Sequence, residues 1–324
     1  MKVDQTVLAV DLGGTKILIS EVQANGELLA PHKYRSDVTS QTTAYAGIVQ
    51  AIEQFLMQAP DVKRIMAISV SAVGRINTAS GEWYELDPER AVDIPLAQQL
   101  SDRFKLPVFA ANDVYCATLA ENMLGVGNVT NDFLYLNVGT GIAGRIVNNG
   151  QILNGSHFDA GEIGHMVVDY NSPVRCICGR RGCVEPLASG LGMSNRAQEL
   201  MAQGQPTELT VDEHGRVPVP ALFQGYEHQD LVAQTVVDQA LRALAALIMN
   251  VVRVADPAAV ILGGGVTTDG WLLHHLQPLL VEQTMRFVTV GIHNSQLDPN
   301  LIAIKGAALH GFQRMEMFDH ESIS

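Results

Sequence analysis

Three of the chain's four cysteines fall within eight positions, in the stretch CICGRRGCVE at 176–185. Cys176, Cys178 and Cys183 follow Cys-x-Cys-x4-Cys spacing, and Gly179 and Gly182 permit the tight turns that bring three thiolates to one centre. A closed tetrahedral site needs a fourth donor, and His165 of GEIGH lies close enough in the chain to supply it. Three cysteines and one histidine suit a structural zinc ion. A disulfide is disfavoured in a reducing compartment, and a redox pair would more often show Cys-x-x-Cys. Cys116 stands alone in a helical stretch and reads as a small buried hydrophobe.

A second kind of chemistry lies in the glycines. DLGGTK places Asp11 at a strand end, then Gly13, Gly14, Thr15 and Lys16. Glycines let backbone N–H groups approach an anion, Thr15 adds a hydroxyl and Lys16 a positive charge, while Asp11 could hold Mg2+ directly or through water. The pattern is neither a Walker loop nor Gly-x-Gly-x-x-Gly, and taken alone it is equally a plain hairpin turn. NVGTGIAG repeats the device with Gly139, Thr140 and Gly141, and ILGGGV adds Gly263, Gly264 and Gly265. Together the three turns resemble the nucleotide site of the actin-like ATPase fold, with paired hairpins gripping the β and γ phosphates and the third loop beside adenosine.

These residues must be positioned by strands and helices. TVLAVDLGGTKILISEVQANGELLA reads as strand, glycine turn, strand, Asn-Gly turn, strand, and DFLYLNVGTGIAGRIVNNGQIL repeats that order. Helical spacing marks YAGIVQAIEQFLMQA, LAQQLSDRF and VYCATLAENMLG, and strands are expected at RIMAISVSAVG and LPVFAAND. The alternation predicts α/β architecture, and the repeated opening predicts two similar domains facing each other across a cleft. A long buried helix within LVAQTVVDQALRALAALIMNVVRVA stops at Asp256-Pro257, because proline cannot extend it, and a strand then runs into Gly263. Residues 203–229 read as a loop-rich surface excursion.

With 324 residues, 47% of them hydrophobic, the chain can bury a core for two domains. A net charge of -13 argues against tracking nucleic-acid phosphates. No secretory signal is legible at the start, and no apolar run reaches the roughly 18 residues of a membrane span, since Arg242 and Arg253 interrupt the best candidate. The expectation is a cytoplasmic protein that binds neither nucleic acid nor membrane.

DLGGTK, GTGIAG, GEIGH, CICGRRGCVE and ILGGGV occur in the order found in the ROK family of sugar kinases and sugar-responsive repressors, and the resemblance covers essentially the whole chain. It implies the actin-like ATPase (ribonuclease H-like) fold. A smaller domain would span 1–112 with a C-terminal helix near 304–324, and a larger one 113–303. It implies an ATP-dependent kinase acting on a hydroxyl, the 6-hydroxyl, of a hexose or N-acetylhexosamine, with Mg2+ accompanying ATP and a homodimeric assembly. Asp113 of the Asn112-Asp113 pair would be the general base, although the residues alone favour a helix cap. Gly74, Asn112, Asp113, Glu162, His165 and Glu185 match the sugar-binding positions, so that His165 would serve both zinc and sugar.

The chain departs from the family in SVSAVGRIN, which keeps Gly74 but lacks the usual proline, and in WYELDPERAVDIPL, where the expected sugar-binding Asn is not assignable. Ala143 and Arg145 replace usual glycines. These departures leave a non-catalytic sugar-binding regulator as the alternative, with a structural or chaperone ATPase a weaker third; nothing before Val7 resembles a DNA-binding segment.

Overall fold

Strand β1 (Thr6–Leu12) is an almost unbroken apolar run, which suits a strand covered on both faces. The structure, a computed structural model, describes residues 5–58 and 64–321. After β1 come β2 (Lys16–Val22), β3 (Leu28–Arg35), α1 (Gln41–Gln58), β4 (Ile65–Ala72), and the small hairpin β5 (Arg75–Asn77) and β6 (Glu82–Glu85). Helix α2 (Leu96–Phe104), β7 (Val108–Asn112) and α3 (Asp113–Leu124) follow. The sheet order is β3-β2-β1-β4-β7, with β1 antiparallel to β2 and parallel to β4. Leu8, Val10 and Leu12 pack with Ile48 and Ile52 of α1. Val7 and Ala9, pointing the other way, share a core with Ile304 and Ala308 of the last helix.

The second sheet repeats the plan. It is built from β8 (Phe133–Val138), β9 (Ile142–Asn148) and β10 (Gln151–Ile152), and completed after α4 (Val184–Ala188), α5 (Gly190–Ala202), α6 (Val219–Glu227) and α7 (Leu231–Ala255) by β11 (Ala259–Gly263). Helices α8 (Trp271–Leu276) and α9 (Glu282–Met285) precede β12 (Gly291–Asn294), and α10 (Ile302–Glu321) ends the described chain. The order β10-β9-β8-β11-β12 matches the first sheet strand for strand. Asp230 caps α7 by accepting the Ala233 N–H, and the helix stops where Asp256 turns left-handed (φ 45°) before Pro257. Helix α7 is long and apolar enough for a span despite Arg242, a correction to the composition reading; 61% of its most apolar window is nevertheless buried in its own unit, as in a core helix.

The chain divides into two units, Met1–Asn128 with Asn154–Ala160 and Asn300–Ser324, and Val129–Leu153 with Gly161–Pro299. Helix α3, expected to open the second domain, therefore belongs to the first. The reason is packing: α10 lies on α3 so closely that a Cβ on Gly306 would collide with the Cys116 carbonyl. Residues 203–229 also need correcting, because α6 forms within them and buries Leu222 and Phe223. The spacing of two prolines and a short apolar run hid that helix.

Candidate functional site

In the first unit, three polar groups gather at the C-terminal ends of parallel strands, where open α/β sheets place their ligands. Asp11 and Ser71 are register partners on β1 and β4, and the Ser71 hydroxyl donates to Asp11 Oδ1 at 2.8 Å. Burial pushes the Asp11 carboxyl up to about 6; the Ser71 hydrogen bond works against that rise and the charge of Asp113 adds to it. Asp113 is thus near enough for its charge to be felt.

Asn112, last residue of β7, is the N-cap of α3, its Oδ1 accepting the N–H groups of Val114 and Tyr115. The cap role that the sequence could give to Asp113 belongs to Asn112. Asn112 Nδ2 donates to Asp113 Oδ1 and to the Gly74 carbonyl, both at 3.0 Å. Asp113 is thereby held in the first turn of a helix, with its Oδ1 also accepting the Val114 N–H at 2.9 Å. Gly74 has φ +97° and sits so tightly under β6 that a Cβ would collide with the Glu85 carbonyl. The turn after β1 is closed by the Gly13 N–H to the Lys16 carbonyl at 2.9 Å and by the Ser36 hydroxyl to the Gly13 carbonyl at 2.8 Å. Gly14 and Thr15 remain exposed, and Lys16 Nζ reaches Asn300 Oδ1 at 3.5 Å.

In the second unit, the Gly139-Thr140-Gly141 turn is braced by the start of α5, whose Gly190 N–H donates to the Gly139 carbonyl at 2.8 Å. Glu185 on α4 joins this turn, because its Oε2 accepts the Ile142 N–H at 2.9 Å. A side chain at Gly141 would stand 2.7 Å from that same oxygen, so glycine is what admits Glu185. Gly264 has φ +90° and presses on the Val138 carbonyl, which puts Gly263, Gly264 and Gly265 against the second turn. Glu162, exposed, precedes a short 3-10 turn over Ile163–His165. A cavity of about 330 Å³ is lined by Thr140, Gly141, Cys176, Glu185 and Arg196 among others. Arg145, which replaces a usual glycine, lies within β9, buried and opposite Tyr135.

His165 Nδ1 stands 3.2 Å from Cys176 Sγ, and Cys178 Sγ stands 3.6 Å from Cys183 Sγ. The donor atoms of His165, Cys176 and Cys178 all lie within 4.8 Å of one another. A zinc tetrahedron with bonds of roughly 2.0–2.3 Å has edges of about 3.5–3.8 Å; the His165–Cys176 and Cys178–Cys183 separations lie near those edges, while the close group comprises His165, Cys176 and Cys178, with Cys183 joined to it through Cys178. Burial raises the thiols of Cys176 and Cys183, while the Arg180 backbone N–H lowers that of Cys178. Arg180 also donates to the His165 carbonyl, tying the knuckle's tip to the residue that begins it.

Three participants were not foreseen. Ser71 touches Asp11 only because of the parallel register of β1 and β4, which no local signal in SVSAVG announces. Arg75 forms a two-pronged pair with Glu85, at 3.2 and 3.3 Å, beside Gly74. Arg196 reaches the cavity that holds Glu185 from α5.

The chain matches the model of the ROK family over residues 7–306. It is 31% identical over 273 residues to a glucokinase of Halalkalibacterium halodurans, covering 82% of each chain. It is 30% identical over 272 residues to an N-acetylmannosamine kinase of Shigella boydii, covering 82% of this chain and 86% of the relative. Its fold superposes on a ROK hexokinase from Thermus thermophilus with a TM-score of 0.76 at 27% identity, covering 96% of this chain and 99% of the other. With the duplicated sheets and the His-Cys knuckle in place, the chain belongs to the ROK family and has its actin-like ATPase fold.

Proposed function

We propose that this ATP-dependent sugar kinase transfers the γ-phosphoryl group to the 6-hydroxyl of a hexose or N-acetylhexosamine, with Asp113 as general base. One observation carries the assignment of the base: Asn112 takes the helix cap and donates to Asp113 Oδ1, which fixes the carboxylate in orientation beside Asp11. As the sugar O–H bond breaks, its proton passes to Asp113, the oxygen forms a bond to phosphorus, and the bond from phosphorus to the departing ADP oxygen breaks. Glu185 and Glu162 accept sugar hydroxyls, and His165 orients the ring through the nitrogen not turned to Cys176. Gly74 and Asn112 adjoin Asp113, Asn112 Nδ2 donating to the carboxylate and to the Gly74 carbonyl. The turns at Gly13–Lys16, Gly139–Gly141 and Gly263–Gly265 offer backbone N–H groups to the nucleotide, and the charge of Lys16 favours its phosphates.

Zinc, held by His165, Cys176, Cys178 and Cys183, would supply rigidity to the sugar-binding His165. Mg2+ carried with ATP would neutralise phosphate charge, and Asp11 is the carboxylate to hold it. A cytoplasmic homodimer completes the reading. The N-acetylmannosamine kinase and glucokinase relatives favour the two acceptor classes equally.

The test is ADP release with Mg-ATP over a panel of hexoses and N-acetylhexosamines, and product analysis to locate the phosphate. Asp113→Ala should lower turnover by about 10²–10⁴ while sugar affinity, measured calorimetrically, stays within a few-fold. A folded, zinc-loaded protein with no turnover on any sugar would instead be a sugar-binding regulator.

A further inference from the structure

The second unit carries a cavity of about 460 Å³ that contains none of Glu162, His165, Glu185 or the glycine turns. One wall is α7, where Thr235, Gln239 and Arg242 recur at i, i+4 and i+7 and so form one polar row on an otherwise apolar helix. The facing wall is Leu187 of α4, Val168 and Arg196 of α5. A merely solvated helix face would also align polar residues. Here the row faces a recess, and its two guanidinium groups are incompletely engaged. Arg242 makes no hydrogen bond or ion pair among the described residues. Arg196 Nη1 pairs with Glu199 at 2.9 Å, but its Nε is buried with no partner among them. An N–H left so is costly unless a ligand accepts from it. The one acid in the lining, Asp169, is engaged locally, since its Oδ1 accepts the Asn171 N–H at 3.1 Å.

We infer that this cavity binds a small phosphomonoester. Two guanidinium groups match a phosphate dianion in geometry and charge. The Gln239 amide adds a neutral donor, whereas the Thr235 hydroxyl gives its proton to the Leu231 carbonyl at 2.7 Å and lines the cavity without donating to it. The volume exceeds that of an inorganic anion and falls in the range of small-ligand sites, and Val168, Leu187 and Ala243 give the organic body an apolar floor. Arg196 also lines the cavity that contains Glu185, so an occupant drawing on Arg196 reaches the sugar-binding region through that side chain.

The test is calorimetric titration of the full chain with a hexose 6-phosphate, inorganic phosphate and free hexose, in wild type, Arg242→Ala, Gln239→Ala and Glu185→Gln. The site predicts that the hexose phosphate binds, that Arg242→Ala weakens it tenfold or more and Gln239→Ala several-fold, and that Glu185→Gln leaves it within twofold. Arg242 is exposed on the surface of α7, so its variant should fold, with thermal melting as the control. Loss of binding in Glu185→Gln alone would assign the phosphate to the sugar site and overturn the inference. Undiminished binding in Arg242→Ala, or none in wild type, would do the same. Inorganic phosphate binding as tightly as the hexose phosphate would overturn the assignment to a phosphomonoester.

Discussion

Strands β1 and β8 hold the same place in two sheets of the same order, yet β1 carries Asp11 where β8 carries Asn137. The neighbouring parallel strand differs too, presenting Ser71 to Asp11 but Gly263 to Asn137. In the first unit the duplicated scaffold concentrates charge: a half-buried carboxylate, a second one nearby, and a lysine in the turn. In the second unit the corresponding turn is uncharged and is joined instead by Glu185 from a following helix and by the cysteine knuckle. Under the proposed function, one fold would serve two tasks, metal-assisted charge handling in one copy and backbone cradling with a rigid sugar contact in the other.

Removing that difference should have the largest effect. Asp11→Asn makes the first turn resemble the second, and kcat/KM should fall by about two to three orders of magnitude, as for loss of a principal electrostatic group. The wild-type rate should fall as pH drops through about 6, where Asp11 gains a proton, and the variant should lose that dependence. Stability should move the opposite way. The folded carboxyl binds its proton more tightly than the unfolded one, so its contribution is present at low pH and lost as pH rises through about 6. The free variant should therefore melt higher than wild type at pH 8 and not at pH 4. An unchanged rate profile would mean that the two turns are interchangeable.

The next test acts on what only the second unit has. Cys178→Ser should remove most bound zinc, measured by metal analysis, and raise the sugar KM by about 10–100-fold, the usual cost of loosening the support of a ligand histidine. Unchanged sugar affinity in a zinc-free protein would leave the knuckle a scaffold alone.

How much of this was legible depended on range. The hairpins, the stop of α7 at Asp256-Pro257 and the knuckle rest on local chemistry, so spacing sufficed for them. The clustering of Cys176 and Cys178 with His165 was readable because cysteine is rare in this chain. Ser71 against Asp11, and the division of cap and carboxylate between Asn112 and Asp113, depend on strand register and helix start, which only the assembled sheet settles. Helix α6 escaped because prolines and glycines around it signal loop, while burial of Leu222 and Phe223 overrode that signal. The Thr235-Gln239-Arg242 row is plain periodicity, but its meaning depends on the opposite wall.

A third pair of changes asks how far the two copies remain alike. The fourth strand of each sheet runs into a glycine with positive φ, Gly74 at +97° after β4 and Gly264 at +90° after β11. Each presses on a backbone carbonyl. Gly74→Ala and Gly264→Ala should each cost about 1–3 kcal/mol in denaturant unfolding. Their kinetic effects should separate, with the sugar KM rising several-fold in the first and the ATP KM in the second. Equal effects on both substrates from either variant would blur the division between the copies.

The smallest effect belongs to a buried histidine of the first unit. His310 of α10 is buried between the rings of Phe109 and Tyr115, and burial, with the charge of Arg314, lowers its pKa to about 4. Below the ordinary value of 6.5 the unfolded chain takes up a proton that the folded one resists until about 4. Stability present at neutral pH is therefore lost progressively on acidification, by about 1 kcal/mol between pH 7 and 5.5. Asp11 acts with the reverse sign in the same unit, so the slope of melting temperature against pH separates them. His310→Gln should turn that slope toward falling stability with rising pH between pH 5 and 7, the sign of Asp11 alone, and Asp11→Asn should steepen it the other way, because the wild-type carboxyl opposes the histidine there. A His310→Gln slope equal to wild type would show that the imidazole finds its proton without opening the fold.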